Sequence, residues 1–132
     1  MMSTNPGNFD VLIVDDYQPM RAALRALLQS AYPGVNILEA ADGARALELC
    51  LSHRPRLVLM DIELPDANGI ELTARIKAKL PECNVIVVSQ HSASIYVERA
   101  HEAGAYAYIT KGTAHQELLP AVAGALASGA QP

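Results

Sequence analysis

The sequence predicts an α/β fold, a (βα)5 doubly wound five-stranded parallel sheet, and two observations carry this prediction. Five short apolar runs recur along the chain, at 11–14, 35–38, 57–60, 85–88 and 106–109. Apolar residues after each run follow the spacing of amphipathic helices. Three of the runs are nearly continuous in Val, Ile, Leu or Met, which is typical of parallel strands covered on both faces. Right-handed crossovers then place helices on both sides of one open sheet.

The first two helices are predicted by apolar spacing together with residues that start or end helices. The inward residues of the first helix recur at helical intervals: Met20, Leu24, Leu27, Leu28 and Ala31. The segment Tyr32-Pro33-Gly34 then stops this helix. Asp42 can cap the second helix, and Pro55 lies beyond its end. The predicted inward residues of the second helix are Leu47, Cys50 and Leu51.

The third and fourth helices are predicted in the same way. The apolar residues of the third are Leu72, Ile76 and Leu80. Pro81 closes this helix, because proline cannot continue it. Ser92 or Ser94 can start the fourth helix, and Gly104 stands where a helix commonly ends in glycine.

The fifth helix has a start signal and an internal proline. Thr113 and Gln116 have the spacing of a capping box. The predicted buried face consists of Leu118, Leu119, Val122 and Leu126. Pro120 lacks an N–H group, so we expect it to kink or shorten the helix.

The composition is that of a globular chain with one hydrophobic core. The chain has 132 residues, of which 51% are apolar and 18% charged, and this balance predicts a folded single domain. The net charge is -4 and the ten Lys and Arg are scattered, so we expect no direct nucleic acid binding by this domain. No apolar run approaches the roughly 18 residues of a membrane span. We expect a domain at 9–128, a flexible leader at 1–8 and a tail or linker stub at 129–132.

The two cysteines and the chain start bear on the compartment. Cys50 and Cys83 are far apart and have no metal-like spacing, so we interpret them as reduced, small apolar residues. The first residues, MMSTNPGNF, lack the basic and apolar regions of a signal peptide. These features together predict a cytoplasmic protein.

Polar side chains follow four of the five predicted strands. Asp15 and Asp16 follow the first strand, and Asp61 follows the third. Ser89 ends the fourth, and Lys111 ends the fifth. In open α/β sheets, ligands bind just outside the carboxyl ends of the strands. We therefore expect three carboxylates, one hydroxyl and one ammonium group to converge at one edge.

This combination of groups has a specific chemical use. Three clustered carboxylates repel one another unless a cation lies among them, and oxygen ligands favour Mg²⁺. A carboxylate flanked by metal, ammonium and hydroxyl groups can carry a phosphoryl group. Taken singly, each residue has a simpler explanation, namely a helix cap, a solvated lysine or a turn-forming serine. The joint pattern favours the phosphoryl site.

Four stretches of the sequence carry a family resemblance. They are VLIVDD, LVLMDIELPDANGIEL, VIVVSQHS and AGAYAYITKG. From about residue 9 to 128, the chain resembles the receiver domain of two-component response regulators, which are CheY-like, flavodoxin-like domains with strand order 2-1-3-4-5. The Lys-Gly pair followed by T-x-x-Q-E-L-L looks most like receivers of the NarL/LuxR type, which precede a helix-turn-helix. These residues contain no such DNA-binding module.

The resemblance implies a role for each acidic residue at the strand ends. Asp61 is the implied phosphoacceptor. Asp16 would bind Mg²⁺ directly, and Asp15 would act mostly through a bound water. The backbone carbonyl of Glu63 would complete the protein ligands of the metal.

The resemblance also implies a switch and a set of partners. Ser89 and Lys111 would hold the phosphoryl oxygens, and Tyr108 would be the switch aromatic. The donor would be a phosphohistidine on a sensor histidine kinase or phosphotransfer protein. Such a domain phosphorylates and dephosphorylates only itself, so it is a switch and not a turnover enzyme. It would control an output partner or a transcription-regulating domain, with a homodimer as one assembly and no membrane contact.

Some residues depart from the family pattern or qualify it. Gln90 stands where receivers usually have a small residue that leaves room for the phosphodonor. Glu63 and His91 occupy positions that flank the incoming water, and each can equally be an exposed polar residue. Tyr108 can equally be a packed core aromatic.

Three alternative functions remain to be compared with the switch. A pseudo-receiver would bind protein without taking phosphate, but such domains usually lack an acidic residue or the lysine. An aspartyl-phosphate phosphohydrolase would have D-x-D near the chain start, whereas Asp61-Ile62-Glu63 lies mid-chain. A flavin-binding domain needs a phosphate loop after the first strand, where Asp15 and Asp16 would repel phosphate.

Overall fold

The structure, a computed structural model, describes residues 9–129 and contains the predicted alternation of strands and helices. The strands are β1 (Asp10–Val14), β2 (Asn36–Ala40), β3 (Leu57–Met60), β4 (Asn84–Ser89) and β5 (Ala107–Thr110). The helices are α1 (Gln18–Ala31), α2 (Gly43–His53), α3 (Gly69–Lys79), α4 (Ser94–Glu102) and α5 (Ala114–Gly129). A 3-10 turn, Lys111–Thr113, joins β5 to α5. No helix in this range is both long and apolar enough to cross a membrane.

The ends of the chain correspond only in part to the predicted leader and tail. The leader at 1–8 lies outside the described residues. Residue 129, predicted as the start of the tail, belongs to α5, because the helix continues to that position. The rest of the predicted tail, 130–132, lies outside the described residues.

All five strands are parallel and lie in the order β2-β1-β3-β4-β5, which confirms the predicted fold. Val14 pairs with Met60 at the ends of β1 and β3. The residues that follow this pair, Asp15 and Asp61, therefore emerge side by side. Ser89 pairs with Thr110 at the ends of β4 and β5, which places Lys111 at the same edge.

Helices cover the sheet on both faces and create two large apolar cores, with a smaller third cluster of Ile62, Val87, Ala100 and Ala105. The first core lies under α1 and α5 and includes Leu24, Leu28, Leu118, Val122 and Leu126. The second lies under α2 and α3 and includes Ala46, Leu49, Cys50, Leu72 and Ile76. Val11 and Ile13 face the first core, whereas Leu12 and Val14 face the second. Because successive side chains of a strand point to opposite faces, β1 must be apolar throughout.

The predicted face of α2 is wrong in one residue. Leu51 was expected to point inward but is 47% exposed. Ala46, Leu49 and Cys50 form the buried side of the helix instead. Leu51 lies about 100° around the helix axis from Cys50, because an α-helix turns by that angle per residue.

Helix ends match the sequence signals in some places and not in others. Gly104 follows α4 with φ +102°, a conformation that suits glycine. Helix α4 begins at Ser94, but Ala93 occupies the N-cap without a side-chain hydrogen bond. At the start of α5, the hydroxyl of Thr113 lies 2.9 Å from that of Thr110. Pro120 does not shorten α5, because it lies on the exposed side and the helix continues to its full 16 residues.

Candidate functional site

The carboxyl edge of the sheet brings Asp15, Asp61 and Lys111 together. The Nζ atom of Lys111 lies 2.9 Å from Asp15 Oδ2 and 3.5 Å from Asp61 Oδ2. Both carboxylates are buried, with 1% and 6% of the residue exposed. A single ammonium group therefore faces two buried carboxylates. Because these residues are far apart in sequence, only the parallel sheet makes them neighbours.

The backbone holds each aspartate where its strand ends. The N–H of Asp15 donates to Ala40 O at 3.1 Å, and the N–H of Asp61 donates to Val14 O at 2.9 Å. The sheet ladder thus continues one residue beyond each strand. The N–H of Tyr17 donates to Asp15 Oδ1 at 2.9 Å. Both oxygens of Asp15 are engaged, one by this N–H and one by Lys111.

Asp16 completes a cluster of three carboxylates with Asp15 and Asp61. One oxygen from each of the three lies within 4.8 Å of the other two. Asp16 is exposed, whereas its two neighbours are buried. Hard oxygen ligands that converge in this way suit Mg²⁺, which commonly keeps several waters and takes only one or two carboxylates from the protein. The residues present therefore fit a magnesium ion.

The pKa values of Asp61 and Lys111 show how strongly the charges of the cluster affect one another. Burial and the neighbouring charge of Asp15 raise the pKa of Asp61 to about 6, against the opposing effect of Lys111. Burial alone would lower the pKa of Lys111, but its contacts with Asp15 and Asp61 raise it overall. The lysine is thus held as a cation, while Asp61 carries a carboxylate that is costly to ionise.

Ser89 and Tyr108 are linked through the backbone of His91. The N–H of His91 donates to Ser89 Oγ at 3.0 Å. The hydroxyl of Tyr108 donates to His91 O at 2.7 Å. Burial raises the pKa of Tyr108. Ser89 and Tyr108, the two residues predicted to form a switch, therefore both hydrogen-bond the backbone of His91 in the β4–α4 loop.

Glu63 connects two loops at the mouth of the site. Its carboxylate accepts a hydrogen bond from Gln90 Nε2 at 3.0 Å and lies 3.1 Å from His91 Nε2. The ring of His91 stacks on Tyr96 with a centroid distance of 4.6 Å. A cavity of about 390 Å³ lies beneath this contact, lined by Asp16, Tyr17, Met20, Asp61, Glu63, Gln90 and Lys111. Sequence reasoning placed these side chains near the site but did not predict that they bind one another.

Gly69 is a site residue that the sequence analysis did not single out. A Cβ atom at this position would lie 2.0 Å from the backbone oxygen of Asp61 and 2.9 Å from Cα of Ile62. The first residue of α3 therefore packs directly against the segment that carries Asp61. Its N–H donates to Ile62 O at 2.7 Å. The only signal in the sequence is a glycine where α3 begins, and a helix start does not itself require glycine.

Curated relatives with this sequence pattern are transcriptional and response regulators. The chain is 35% identical over 120 residues to the transcriptional activator protein ExaE of Pseudomonas putida, covering 91% of this chain and 56% of that protein. It is 32% identical over 114 residues to the response regulator UvrY of Escherichia coli K12, covering 86% of this chain and 52% of that protein. The chain thus spans about half the length of these relatives.

Solved structures show the same fold. A two-component response regulator of the LuxR family from Aurantimonas matches with a TM-score of 0.84 and 33% identity, over 92% of this chain and 86% of that one. A CheY-like receiver domain protein from Methanospirillum hungatei matches with a TM-score of 0.85 and 27% identity, over 92% and 96%. The family model of the response regulator receiver domain matches residues 11–123. The chain therefore belongs to the response regulator receiver domain family.

Proposed function

We propose that this domain is a phosphorylation-activated switch in which Asp61 accepts the phosphoryl group. The observation that carries the proposal is the contact of Lys111 with both Asp15 and Asp61 inside the carboxylate cluster. Of the three carboxylates, Asp61 alone both contacts Lys111 and lines the open cavity. Membership of the receiver family supports a signalling switch over a turnover enzyme.

The proposed Mg²⁺ site uses the residues of this cluster. Asp16 and Asp61 would hold the ion directly, Asp15 would act mostly through a bound water, and the backbone carbonyl of Glu63 would be the remaining ligand. The ion would neutralise charge on the cluster and on the phosphoryl oxygens. Asp15 has a further role, since its Oδ2 fixes the ammonium group of Lys111.

The chain's own residues then perform the transfer. An oxygen of Asp61 attacks the phosphorus of a phosphohistidine, forming the new P–O bond while the P–N bond to the imidazole breaks. Lys111 donates to a phosphoryl oxygen, because its ammonium already lies against Asp61. Ser89 supplies the second donor. These charge-assisted hydrogen bonds favour the phosphorylated state.

Tyr108 is the proposed relay from the site to the surface. Ser89 Oγ now accepts the N–H of His91, whose C=O accepts the hydroxyl of Tyr108. When the Ser89 hydroxyl turns to a phosphoryl oxygen, the N–H of His91 loses its partner, while the C=O of the same residue still accepts from Tyr108. The β4–α4 loop then has two arrangements, each with a different Tyr108 bond. The face of α4, β5 and α5, where Ile95 is 48% exposed, is the proposed output surface.

The proposed partners follow from the relatives and the reaction. The donor is a sensor histidine kinase or a phosphotransfer protein. The output is a partner protein or a transcription-regulating domain, since the longer relatives that this chain matches over about half their length include a transcriptional activator. A homodimer is a proposed assembly, and the cytoplasm is the proposed location.

The decisive experiment compares the wild type with Asp61→Asn. Acetyl phosphate with Mg²⁺ should add one phosphoryl group to the wild type and none to the variant, as measured by intact mass. Beryllofluoride with Mg²⁺ should shift the amide NMR signals of residues 89–109 in the wild type only. A phosphorylated Asp61→Asn would refute the assignment of the acceptor.

A pseudo-receiver that binds protein without phosphate is the second candidate. The contact between Gln90 and Glu63 favours it, because both residues line the cavity beside Asp61 and hold space that a phosphodonor needs. The same mass measurement separates the two functions. A wild type that takes no phosphoryl group from acetyl phosphate or from a kinase would favour the pseudo-receiver.

A further inference from the structure

Helix α2 has two acidic caps, and they come from different parts of the chain. Asp42 is the N-cap residue, and its side chain accepts from Arg45 N at 2.8 Å. Asp66 lies in the loop between β3 and α3, and its two oxygens accept from Gly43 N at 2.7 Å and Ala44 N at 3.0 Å. The first N–H groups of a helix have no partner within the helix, so both aspartates satisfy donors that the helix itself leaves unpaired. Only Asp66 joins the helix to a distant segment.

The loop that carries Asp66 is a compact turn. The N–H of Leu64 donates to Ala67 O at 3.2 Å, and Gly69 N donates to Ile62 O at 2.7 Å. A bridge pairs Glu63 with Asn68. These bonds make the turn stiff within itself. Contacts of the Glu63 side chain with Gln90 and His91 join it to the β4–α4 loop. Asp66 joins the same turn to α2 on another side.

Contacts at the start of α2 show that this connection is close and specific. A Cβ atom on Gly43 would lie 2.8 Å from Cβ of Ala67 and 3.2 Å from Asp66 Oδ1. Glycine at this position therefore allows the loop to approach the helix. The two N–H bonds to one carboxylate are charge-assisted, and they lie at the positive end of the helix dipole. They also lower the pKa of Asp66, which keeps it ionised.

The same loop controls the position of the Glu63 peptide. Glu63 is two residues after Asp61. Burial and the charge of Asp15 raise the pKa of Asp61, and the Glu63 backbone opposes that rise. Under the function proposed above, its carbonyl is also a ligand of Mg²⁺. A movement of the turn would displace this peptide and leave Asp61 in place, because Asp61 is held separately by its bond to Val14.

We propose that Asp66 is a positioning residue for the phosphorylation site: it ties the β3–α3 loop to the N-terminus of α2 and thereby fixes the Glu63 peptide beside Asp61. This inference rests on the proposed function for its effect on Mg²⁺. It assigns a role in the site to a side chain that touches neither metal nor phosphoryl group. Under this proposal, α2 and the β3–α3 loop move together.

The test compares Asp66→Ala with Asp42→Ala, which removes the other cap of the same helix. Both variants should lower the Tm, since each exposes helix donors. Only Asp66→Ala should shift the Glu63 amide signal in metal-free NMR spectra. It should also weaken Mg²⁺ binding about tenfold, the lower end of what losing an outer support of a metal ligand costs. Asp42→Ala should bind Mg²⁺ as the wild type does.

A conservative variant provides the rescue. Asp66→Asn keeps one acceptor oxygen and should show a Mg²⁺ affinity between those of the wild type and Asp66→Ala; it also serves as the test should the alanine variant fail to fold. Equal Mg²⁺ affinities for Asp66→Ala and Asp42→Ala would overturn the inference. A wild type that binds no Mg²⁺ would instead refute the proposed function, and the Glu63 amide shift would then decide the role of Asp66.

Discussion

The two edges of the sheet use their polar residues in opposite ways. At the amino edge, Arg56 Nη2 donates to Leu126 O and Asn84 Nδ2 donates to Ala125 O, both at 2.8 Å. These donors meet carbonyls in the last turns of α5 and attach that helix to the sheet. At the carboxyl edge, Asp61 faces Asp15, a group of the same charge, and the nearby ammonium group of Lys111 offsets this repulsion in part.

The difference shows how one sheet separates stability from function. At the amino edge, side-chain N–H donors are paired with carbonyl acceptors, so these hydrogen bonds contribute to folding stability. Polar groups at the carboxyl edge are held close despite their repulsion, so they cost stability until a cation binds. The core between the two edges supplies the stability that allows the second arrangement.

Gly69→Ala should have the largest effect, because it breaks the support of the carboxyl edge. The new Cβ would meet backbone atoms, with Asp61 O at 2.0 Å, so α3 must move away from Asp61. We expect a loss of about 3 to 5 kcal/mol in the free energy of unfolding. Urea denaturation measures this loss.

Gly112→Ala is the matched control for that substitution. Gly112 follows Lys111, and nothing lies within 4 Å of a Cβ atom placed there. We expect a change within about 0.5 kcal/mol. If both glycine variants unfolded alike, steric support of Asp61 would not explain the first result.

Asp61→Asn should stabilise the metal-free protein at pH 7, whereas most substitutions of buried residues destabilise a protein. Burial and the charge of Asp15 raise the pKa of Asp61 to about 6, from about 3.9 in an unfolded chain. Ionising it therefore costs about 1 to 3 kcal/mol of folding stability. The asparagine side chain does not ionise. Thermal unfolding without Mg²⁺ should therefore show a higher Tm for the variant.

The pH dependence of that difference provides its control. Between about pH 4 and pH 6, folded Asp61 holds a proton that the unfolded chain has lost. The stability that this group contributes is thus present below about pH 4 and lost as the pH rises through about 6. The advantage of Asp61→Asn should grow over the same interval and then level off. An advantage that is constant from pH 4.5 to 8 would rule out the ionisation of Asp61 as its cause.

Asn84→Ala and Arg56→Ala should have the smallest effects and test the amino edge. Each removes one hydrogen bond to a carbonyl of α5, at a cost of about 1 kcal/mol. Because neither residue is near the carboxylates, the Mg²⁺ dissociation constant should not change, as measured by titration. A changed Mg²⁺ affinity in either variant would show that the two edges are coupled through α5.

Most of the fold and the centre of the site could be predicted from the sequence, for a clear physical reason. Strand ends fix where Asp15, Asp61 and Lys111 emerge, and parallel pairing brings those ends together. The contact of Glu63 with Gln90 could not be predicted, because it joins two loops whose geometry no periodicity describes. Gly69 was missed for the same reason, since its need for space depends on the approach of another backbone. The error at Leu51 arose because adjacent helical positions differ by about 100°, so a predicted face that is one residue too wide includes an exposed position.

The position of α5 in the first core has a consequence for synthesis of the protein. Ile13, Leu59 and Val88 lie on the face that α5 covers through Leu118 and Val122. A ribosome adds about 5 to 20 residues per second, so the part of this face that α5 covers stays open for seconds after β4 has been made, although α1 is already available for the rest. During that interval the nascent chain presents an apolar surface to chaperones and to other nascent chains, whereas α2 and α3 are already available to cover the opposite face.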